Sequence, residues 1–452
     1  MSLTSALPRF YRVQRYFGDP WLLILAVVLV VFGLVMMTSA SVEIASRSYG
    51  DPFYHLKRQF VFMVVGLVAA AIVLTMPMRF WYRGSVAWLA LAYLLLVLVL
   101  IPGIGREVNG STRWFRLGFF SLQASEPAKL LILFFMAWFL SRHRGLVRHS
   151  YKGLLIPLTL LGFPVCLLLL EPDFGAVVVL AIAVFGMLFL AGVKVYQFVG
   201  VVGLAAAGAW MLVISSDYRM QRLMTFLQAL KDPFSEDVVF GSGYQLAQAL
   251  IAFGRGEWFG VGLGNSIQKM YFLPEAHTDF VLAIIAEELG VVNVLLLLAL
   301  FSAFVTRAIL IARRNEKSGR LFAAYLAYGI AFLFIGQVLI NVAVNTGLLP
   351  TKGLTLPFLS YGGSSLIMCL VMTAVLLRID LEHHELQQPR GGARSIPVVN
   401  GIQPLQPQMP PPRPTYRPSY EVAQQPVHIS RPAARPAPRP AYRPVRTGAR
   451  PL

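Results

Sequence analysis

Apolar runs, several of them about 20 residues long, recur along this chain and limit its fold more than any other feature. Such a run matches the roughly 30 Å hydrocarbon core of a bilayer when it is helical. Inside a bilayer every backbone N–H and C=O must be paired within the segment or around a closed barrel. The two-residue alternation of a barrel strand is absent from these runs. Ten spans can be traced, near residues 20–40, 59–76, 86–101, 128–140, 154–170, 174–191, 195–214, 280–303, 321–344 and 364–377. Charged residues make up 13% of the chain, about half the share in a soluble protein. The sequence predicts an all-α polytopic membrane protein with about ten transmembrane helices.

The charges orient those helices. Lys and Arg concentrate before the first span (Arg9, Arg12, Arg15), in the second-to-third loop (Arg79, Arg83) and in the fourth-to-fifth (Arg142, Arg144, Arg148, Lys152). They recur in the eighth-to-ninth loop (Arg307, Arg313, Arg314, Lys317, Arg320) and beyond the tenth span. With an even number of spans, all of these fall on one side, which the positive-inside rule makes cytoplasmic. Both termini are then cytoplasmic, and the longest connection, 215–278, is one large extracytoplasmic loop. It is mildly amphipathic in parts, with a periodicity too weak to assign helices.

The formal net charge of +18 is explained by these loops and a basic tail, and no nucleic-acid-binding motif accompanies it. Cys166 and Cys369 lie in apolar runs and read as small hydrophobes, with no disulfide or metal pattern. The first apolar run is too long for a cleavable signal peptide. Three regions result: a cytoplasmic N-terminus (1–19), a membrane domain (20–380) and a cytoplasmic tail (381–452). From about Gln387 the tail is rich in Pro and Arg, with one acidic residue, Glu421. It cannot bury a core and is expected to be disordered, partly polyproline II. It would contact anionic lipid as a solvated tail or dock a partner.

Four polar clusters share the extracytoplasmic side. The first is Asn109, Gly110, Ser111, Arg113, Trp114 and Arg116. The second, Gln123, Ser125, Glu126 and Lys129, opens the fourth span. Glu126 and Lys129 are three apart and can pair on one helix face, which suits a structural ion pair as well as a substrate contact. The third is the turn Glu171, Pro172 and Asp173, where Asp173 fits a helix N-cap as well as a ligand.

The fourth cluster is YFLPEAHTDFVLAIIAEELG, residues 271–290. It sets Glu275, His277, Thr278 and Asp279 against an apolar run, with Arg255 and Lys269 shortly before. Asp279 could simply cap the helix. A carboxylate partly desolvated at a membrane boundary also has a raised pKa, which suits general-base work. Glu287 and Glu288 lie deeper and must face the bundle or a water-filled cavity. A last loop adds Lys352, Thr355, Ser360, Tyr361 and the run GGSS at 362–365. A helix starting there offers free N–H groups to an anion such as pyrophosphate, although a glycine-rich start is usually a close-packed turn.

Taken together, NGSTRWFRLG, QASEPAKL, EPDFG, YQLAQALIAFGRGEWFGVGLG, LPEAHTDFVLAIIAEELG and NTGLLPTKGLTLPFLSYGGSS resemble the SEDS family (shape, elongation, division and sporulation). They occur in the family's order, and the resemblance covers about residues 19–378. PEAHTDF and GLLPTKGLTLPFLSYGG resemble its division branch more than its elongation branch. Glu171 is a departure, since members more often carry Gln there. The resemblance implies a peptidoglycan glycosyltransferase that polymerises lipid II outside the cytoplasmic membrane for septal wall synthesis. Asp279 matches the family's essential aspartate and would be the base. An α-linked donor and a β-1,4 product imply inversion, for which one carboxylate is enough; glycoside hydrolysis generally uses two.

The undecaprenyl pyrophosphate leaving group calls for positive charge, with Arg113, Lys129, Lys269 and Lys352 as candidates. Glu126, Asp173, Glu275, His277, Thr278 and Ser360 are further substrate-binding candidates. A divalent cation could assist a pyrophosphate, but no carboxylate pair has a ligand spacing. The implied partners are a class B penicillin-binding protein transpeptidase and other divisome proteins, in the bacterial inner membrane at the septum. Alternatives are an elongation polymerase, a lipid II transporter and a divisome scaffold. A transporter would more often show paired broken helices and midplane charges, and no internal repeat of that kind is present.

Overall fold

The computed structural model describes residues 18–108, 111–118, 120–215, 217–241, 243–351 and 353–387. Arg9, Arg12 and Arg15, the pair Asn109 and Gly110, Lys352, and the Pro/Arg-rich tail lie outside the described residues.

Helix α1 (Pro20–Tyr49) shows how local sequence sets an element's ends. Asp19 caps it: its Oδ1 accepts the N–H groups of Trp21 and Leu22 at 3.0 and 3.1 Å. Pro20 sits in the first turn, where its missing N–H is not needed. Gly50 closes the helix in a left-handed conformation, φ 68°, and its N–H donates to the Ser46 carbonyl at 2.9 Å. Thirty residues reach about 45 Å, so α1 is longer than a hydrocarbon core requires.

The remaining helices are α2 (Tyr54–Thr75), α3 (Met78–Arg83), α4 (Ser85–Leu100), α5 (Ser125–Arg142), α6 (Arg144–His149), α7 (Tyr151–Leu170) and α8 (Phe174–Leu190). They continue with α9 (Val195–Ile214), α10 (Asp217–Lys231), α11 (Glu236–Val239), α12 (Tyr244–Gly256), α13 (Val281–Lys317), α14 (Leu321–Asn345) and α15 (Gly363–Gln387). Each of the ten expected spans falls on one helix: α1, α2, α4, α5, α7, α8, α9, α13, α14 or α15. Six of these are long and apolar enough to cross a membrane. The protein is a multi-pass membrane protein. Its core lies where α5, α14 and α15 meet, around Leu133, Phe134, Tyr325, Phe334, Val375 and Leu376, each 1% exposed or less.

Three features depart from the sequence-based expectation. The polar loop before α5 folds as a small antiparallel sheet, β1 (Gly105–Val108), β2 (Ser111–Leu117) and β3 (Phe120–Gln123), in the order β1-β2-β3. Its alternation is visible in RWFR: Phe115 points into the core while Arg116 is exposed. The long 215–278 connection holds α10, α11 and α12. Arg307, Arg313, Arg314 and Lys317 belong to α13 and not to a loop. There Arg307 pairs with Asp19, Arg314 meets Asp380 at 3.3 Å, and Arg320, just past the helix, meets Glu382 at 2.7 Å. These pairs tie α1, α13 and α15 together at the end remote from Asp279.

Helix α13 is broken at Gly290, φ 82°. The segment before it, 281–288, is fully buried. Backbone groups around the break are taken up by residues 257–262. Val261 and Gly262 donate to the Glu287 and Glu288 carbonyls at 2.9 Å each, and Val291 donates to the Glu257 carbonyl at 2.9 Å. A Cβ on Gly290 would overlap the Trp258 carbonyl. Non-helical backbone inside a membrane protein is tolerated where protein satisfies it.

Candidate active site

The loop entering α13 is wound around Glu275, which takes a left-handed φ of 56°. Its carbonyl accepts the N–H groups of Thr278, Asp279 and Phe280 at 3.2, 3.1 and 3.2 Å. The Thr278 hydroxyl donates to the Glu275 Oε2 at 2.6 Å. The Asp279 carbonyl is gripped from α14, where Asn341 and Asn345 each donate an Nδ2–H at 3.1 Å. Asn345 also accepts the Ala283 N–H at 3.2 Å, and Asn341 donates to the Leu354 carbonyl at 2.7 Å. One turn back, Gln337 donates to the Thr355 carbonyl at 3.2 Å. This ladder at four-residue spacing pins both Asp279 and the last loop to one helix. Sequence reasoning did not single it out, although three amides at that spacing inside an apolar span were a usable signal.

The Asp279 carboxylate is not a cap. The N-cap of α13 is Phe280, and no side chain caps there. Among the described residues no side chain pairs with the carboxylate, which is half-buried. Burial pushes its pKa up to about 7; the Glu275 charge adds to the rise and Arg113 opposes it. Gly353 faces it so closely that a Cβ there would lie 3.1 Å from Oδ2.

Arg113 on β2 donates from Nε to the Glu171 carbonyl at 2.8 Å and from Nη2 to the Pro172 carbonyl at 2.6 Å. The same turn presents Asp173, which caps α8 by accepting the Ala176 N–H at 3.1 Å. Its other oxygen accepts from Gln123 and Ser125 at 3.0 and 2.9 Å. Asp173 is thus both a cap and a tie to the sheet. Glu171 is fully buried, and among the described residues neither of its carboxyl oxygens has a partner. Burial raises its pKa to about 8, Asp173 pushes the same way, and Arg113 opposes them.

A ring cluster closes one side. The His277 ring lies 4.8 Å from His55 and 5.6 Å from Tyr361, and the Tyr361 N–H donates to the His277 carbonyl at 2.8 Å. Burial pushes the His277 imidazole down, against the pull of Glu275, which favours the neutral ring. Ser360 is a turn-former: its hydroxyl accepts the Leu356 N–H at 2.8 Å and its carbonyl accepts from Gln59 at 3.3 Å. At the start of α15, Ser364 accepts the Gln123 N–H at 2.9 Å and donates to the Ser121 carbonyl at 3.1 Å.

The structure thus gathers Arg113, Glu275, His277 and Thr278 about Asp279, with Asp173 and Ser360 holding the surrounding turns. Two expected cations are engaged elsewhere. Lys129 pairs with Glu126 at 3.0 Å, both buried. Lys269 pairs with Glu288 at 2.7 Å and donates to Ser39 at 3.2 Å. Ser39 in turn donates to both Glu288 oxygens at 2.9 and 2.7 Å. Glu287 accepts from Arg255 at 2.7 Å, from the Ile267 and Gln268 N–H groups at 3.0 and 3.3 Å, and from the Ser266 hydroxyl. Among the described residues, no three His, Cys, Asp or Glu side chains gather as a metal site.

The model of the FtsW/RodA/SpoVE family, described as cell cycle proteins, matches residues 20–385. The chain belongs to this family. It is 51% identical over 350 residues to a protein of Thioalkalivibrio sulfidiphilus named "Probable peptidoglycan glycosyltransferase FtsW", across 77% of this chain and 86% of that one. A Coxiella burnetii protein of the same name is 49% identical over 364 residues, covering 80% of this chain and 96% of its own. These names agree with the division-branch resemblance. Among solved structures, a peptidoglycan synthase complex described as coordinating polymerization and crosslinking matches at a TM-score of 0.63 and 30% identity. That match spans 81% of this chain and 98% of the other. The rod shape determining protein RodA of Thermus thermophilus matches at 0.58 and 30% identity, across 81% and 97%.

Proposed function

We propose that this protein is a peptidoglycan glycosyltransferase that polymerises lipid II, with Asp279 as its general base. The carrying observation is the Asp279 carboxylate: half-buried, unpaired among the described residues, and with a pKa near 7. A base poised near the working pH is the most effective kind. Its backbone carbonyl is fixed by Asn341 and Asn345, so the turn that carries the carboxylate is held against α14. Asp279 takes the proton of the acceptor sugar's 4-hydroxyl as that oxygen bonds to the anomeric carbon of the donor. The bond from that carbon to the pyrophosphate oxygen breaks, and the configuration inverts. Arg113 is the described cation at the site, and Lys352, next to Gly353, is the second candidate for the leaving pyrophosphate.

The positive-inside pattern supports placing the site on the outer face of the cytoplasmic membrane. The FtsW-named relatives support a septal role in division. The matched synthase complex, which couples polymerization to crosslinking, supports a class B penicillin-binding protein transpeptidase as partner, with other divisome proteins.

The test is to purify the full chain with its transpeptidase partner, supply lipid II in detergent and measure glycan strands. Wild type should polymerise and Asp279→Ala should not. Equal polymerisation by the variant would remove Asp279 from the chemistry. A wild type that moves labelled lipid II across vesicles without making polymer would favour transport.

A further inference from the structure

We infer that Glu171 is held as a neutral acid in the working protein, and that its neutrality keeps the Arg113 charge available to Asp279 and the leaving group. This role deepens the transferase function proposed above and rests on it for its effect on catalysis; the protonation itself does not.

The geometry comes first. The Glu171 side chain is 0% exposed, and among the described residues neither carboxyl oxygen has a hydrogen-bond partner. An ionised carboxylate in that position would be an uncompensated buried charge, which proteins avoid by protonation. Among the described residues the cation beside it is Arg113, which spends its Nε–H and one Nη2–H on the carbonyls of Glu171 and Pro172 and not on the carboxyl. Among the described residues, the charged groups acting on Glu171 are Asp173 and Arg113. Asp173 accepts from Gln123, Ser125 and the Ala176 N–H, a donor set that suits its anion and opposes a second negative charge in the same turn. The neighbouring loop meets the start of α8 with an apolar group, since Leu354 packs against Gly175. Burial and Asp173 accordingly raise the Glu171 pKa to about 8.

The consequence follows from the position of Arg113. Its charge acts on both Glu171 and Asp279. While Glu171 is neutral, that charge lowers the Asp279 pKa and is not offset by a Glu171 anion before a pyrophosphate leaves. Once Glu171 ionises, the guanidinium gains an anion next to the backbone it already holds, and its field at the site is neutralised. Glu171 is thus a positioning residue acting through Arg113, and it sets an upper pH limit on the reaction.

The test uses the full chain with Glu171→Gln, which copies the shape of the neutral acid. Infrared spectra in the Asp279→Asn background should contain a buried acid carbonyl band that Glu171→Gln removes and that fades as pH rises through 8. Its absence at pH 7 would overturn the inference. In otherwise wild-type protein with lipid II, the polymerisation rate should fall about fivefold between pH 8 and pH 9, as for one proton lost near 8, and Glu171→Gln should stay level. Identical alkaline falls in both proteins would overturn the link to Arg113. If the band is present and no chain polymerises lipid II, the transferase function fails while the protonation stands.

Discussion

Asp279 and the Glu287–Glu288 pair stand at the two ends of one buried half-helix, residues 281–288, and the protein treats them in opposite ways. Glu287 and Glu288 are 0% exposed, and both are bound by a cation and a hydroxyl, Glu287 also by two backbone N–H groups. Asp279 has its backbone held as firmly, through Asn341 and Asn345, yet among the described residues nothing pairs with its carboxylate. Buried charge that is fully partnered fixes structure. Charge that is partly buried and left unpartnered on a rigid frame is available for chemistry. The Glu pair anchors the 255–269 segment across the helix break; the aspartate at the other end anchors nothing through its carboxylate among the described residues.

The largest expected effect separates the two ends. Asp279→Asn should lower the polymerisation rate about 100- to 10,000-fold, the usual contribution of a general base, and leave resistance to denaturant unchanged or improved. Glu288→Ala should do the reverse in kind. Stranding Lys269 in a buried site should cost about 3–5 kcal/mol of unfolding free energy, measured by denaturation in micelles. If Asp279→Asn destabilised as much as Glu288→Ala, the contrast would collapse and Asp279 would be structural.

That contrast was only half legible in the sequence. The ten spans were readable because bilayer thickness imposes a length that composition alone reveals. The segment 275–279 was readable because polar residues at a membrane boundary need a reason. The Glu126 partner of Lys129 was readable from the three-residue spacing; the partners of Lys269 were not. Lys269 and Glu288 are close in the chain, but Ser39, which completes their site, comes from α1. Lys129 was open to either an ion pair or a substrate contact, and the ion pair is present; Lys269 was named for phosphate alone, because sequence shows a charge and not its counter-charge. The sheet at 105–123 escaped because its strands are four to seven residues long and carry charge. Gln337, Asn341 and Asn345 escaped because an apolar span hides the face on which its few amides line up.

A smaller effect is expected from those amides. Asn345→Ala removes a donor to the Asp279 carbonyl and the acceptor for the Ala283 N–H. A buried group left unsatisfied costs about 1–3 kcal/mol, so the variant should fold but unfold earlier. With Asn341 still holding Asp279, its polymerisation rate should drop about tenfold, the equivalent of 1.4 kcal/mol. A loss as deep as that of Asp279→Asn would mean that the amide acts in the chemistry and not through the position of the aspartate. An unchanged rate would mean that Asn341 alone suffices.

The last effect is a dependence on pH with a fixed sign. The Asp279 pKa is raised from an ordinary 3.8 to about 7 in the folded protein, by burial first and Glu275 second. Between those two values the folded state keeps a proton that the unfolded chain has lost, so stability falls as pH rises through this window and levels off above it. The rate moves the other way, since only the ionised carboxylate can accept the hydroxyl proton; it should climb from pH 6 to a maximum between about 7 and 8, ahead of the alkaline fall set by Glu171. Asp279→Asn should flatten the stability change that Asp279 contributes over that window, and comparing denaturation midpoints of the two proteins at pH 5 and pH 7.5 measures it. A wild type whose stability advantage over Asp279→Asn grows with pH would show that the carboxylate is stabilised by a partner when folded. Asp279 would then belong with Glu287 and Glu288 and not opposite them.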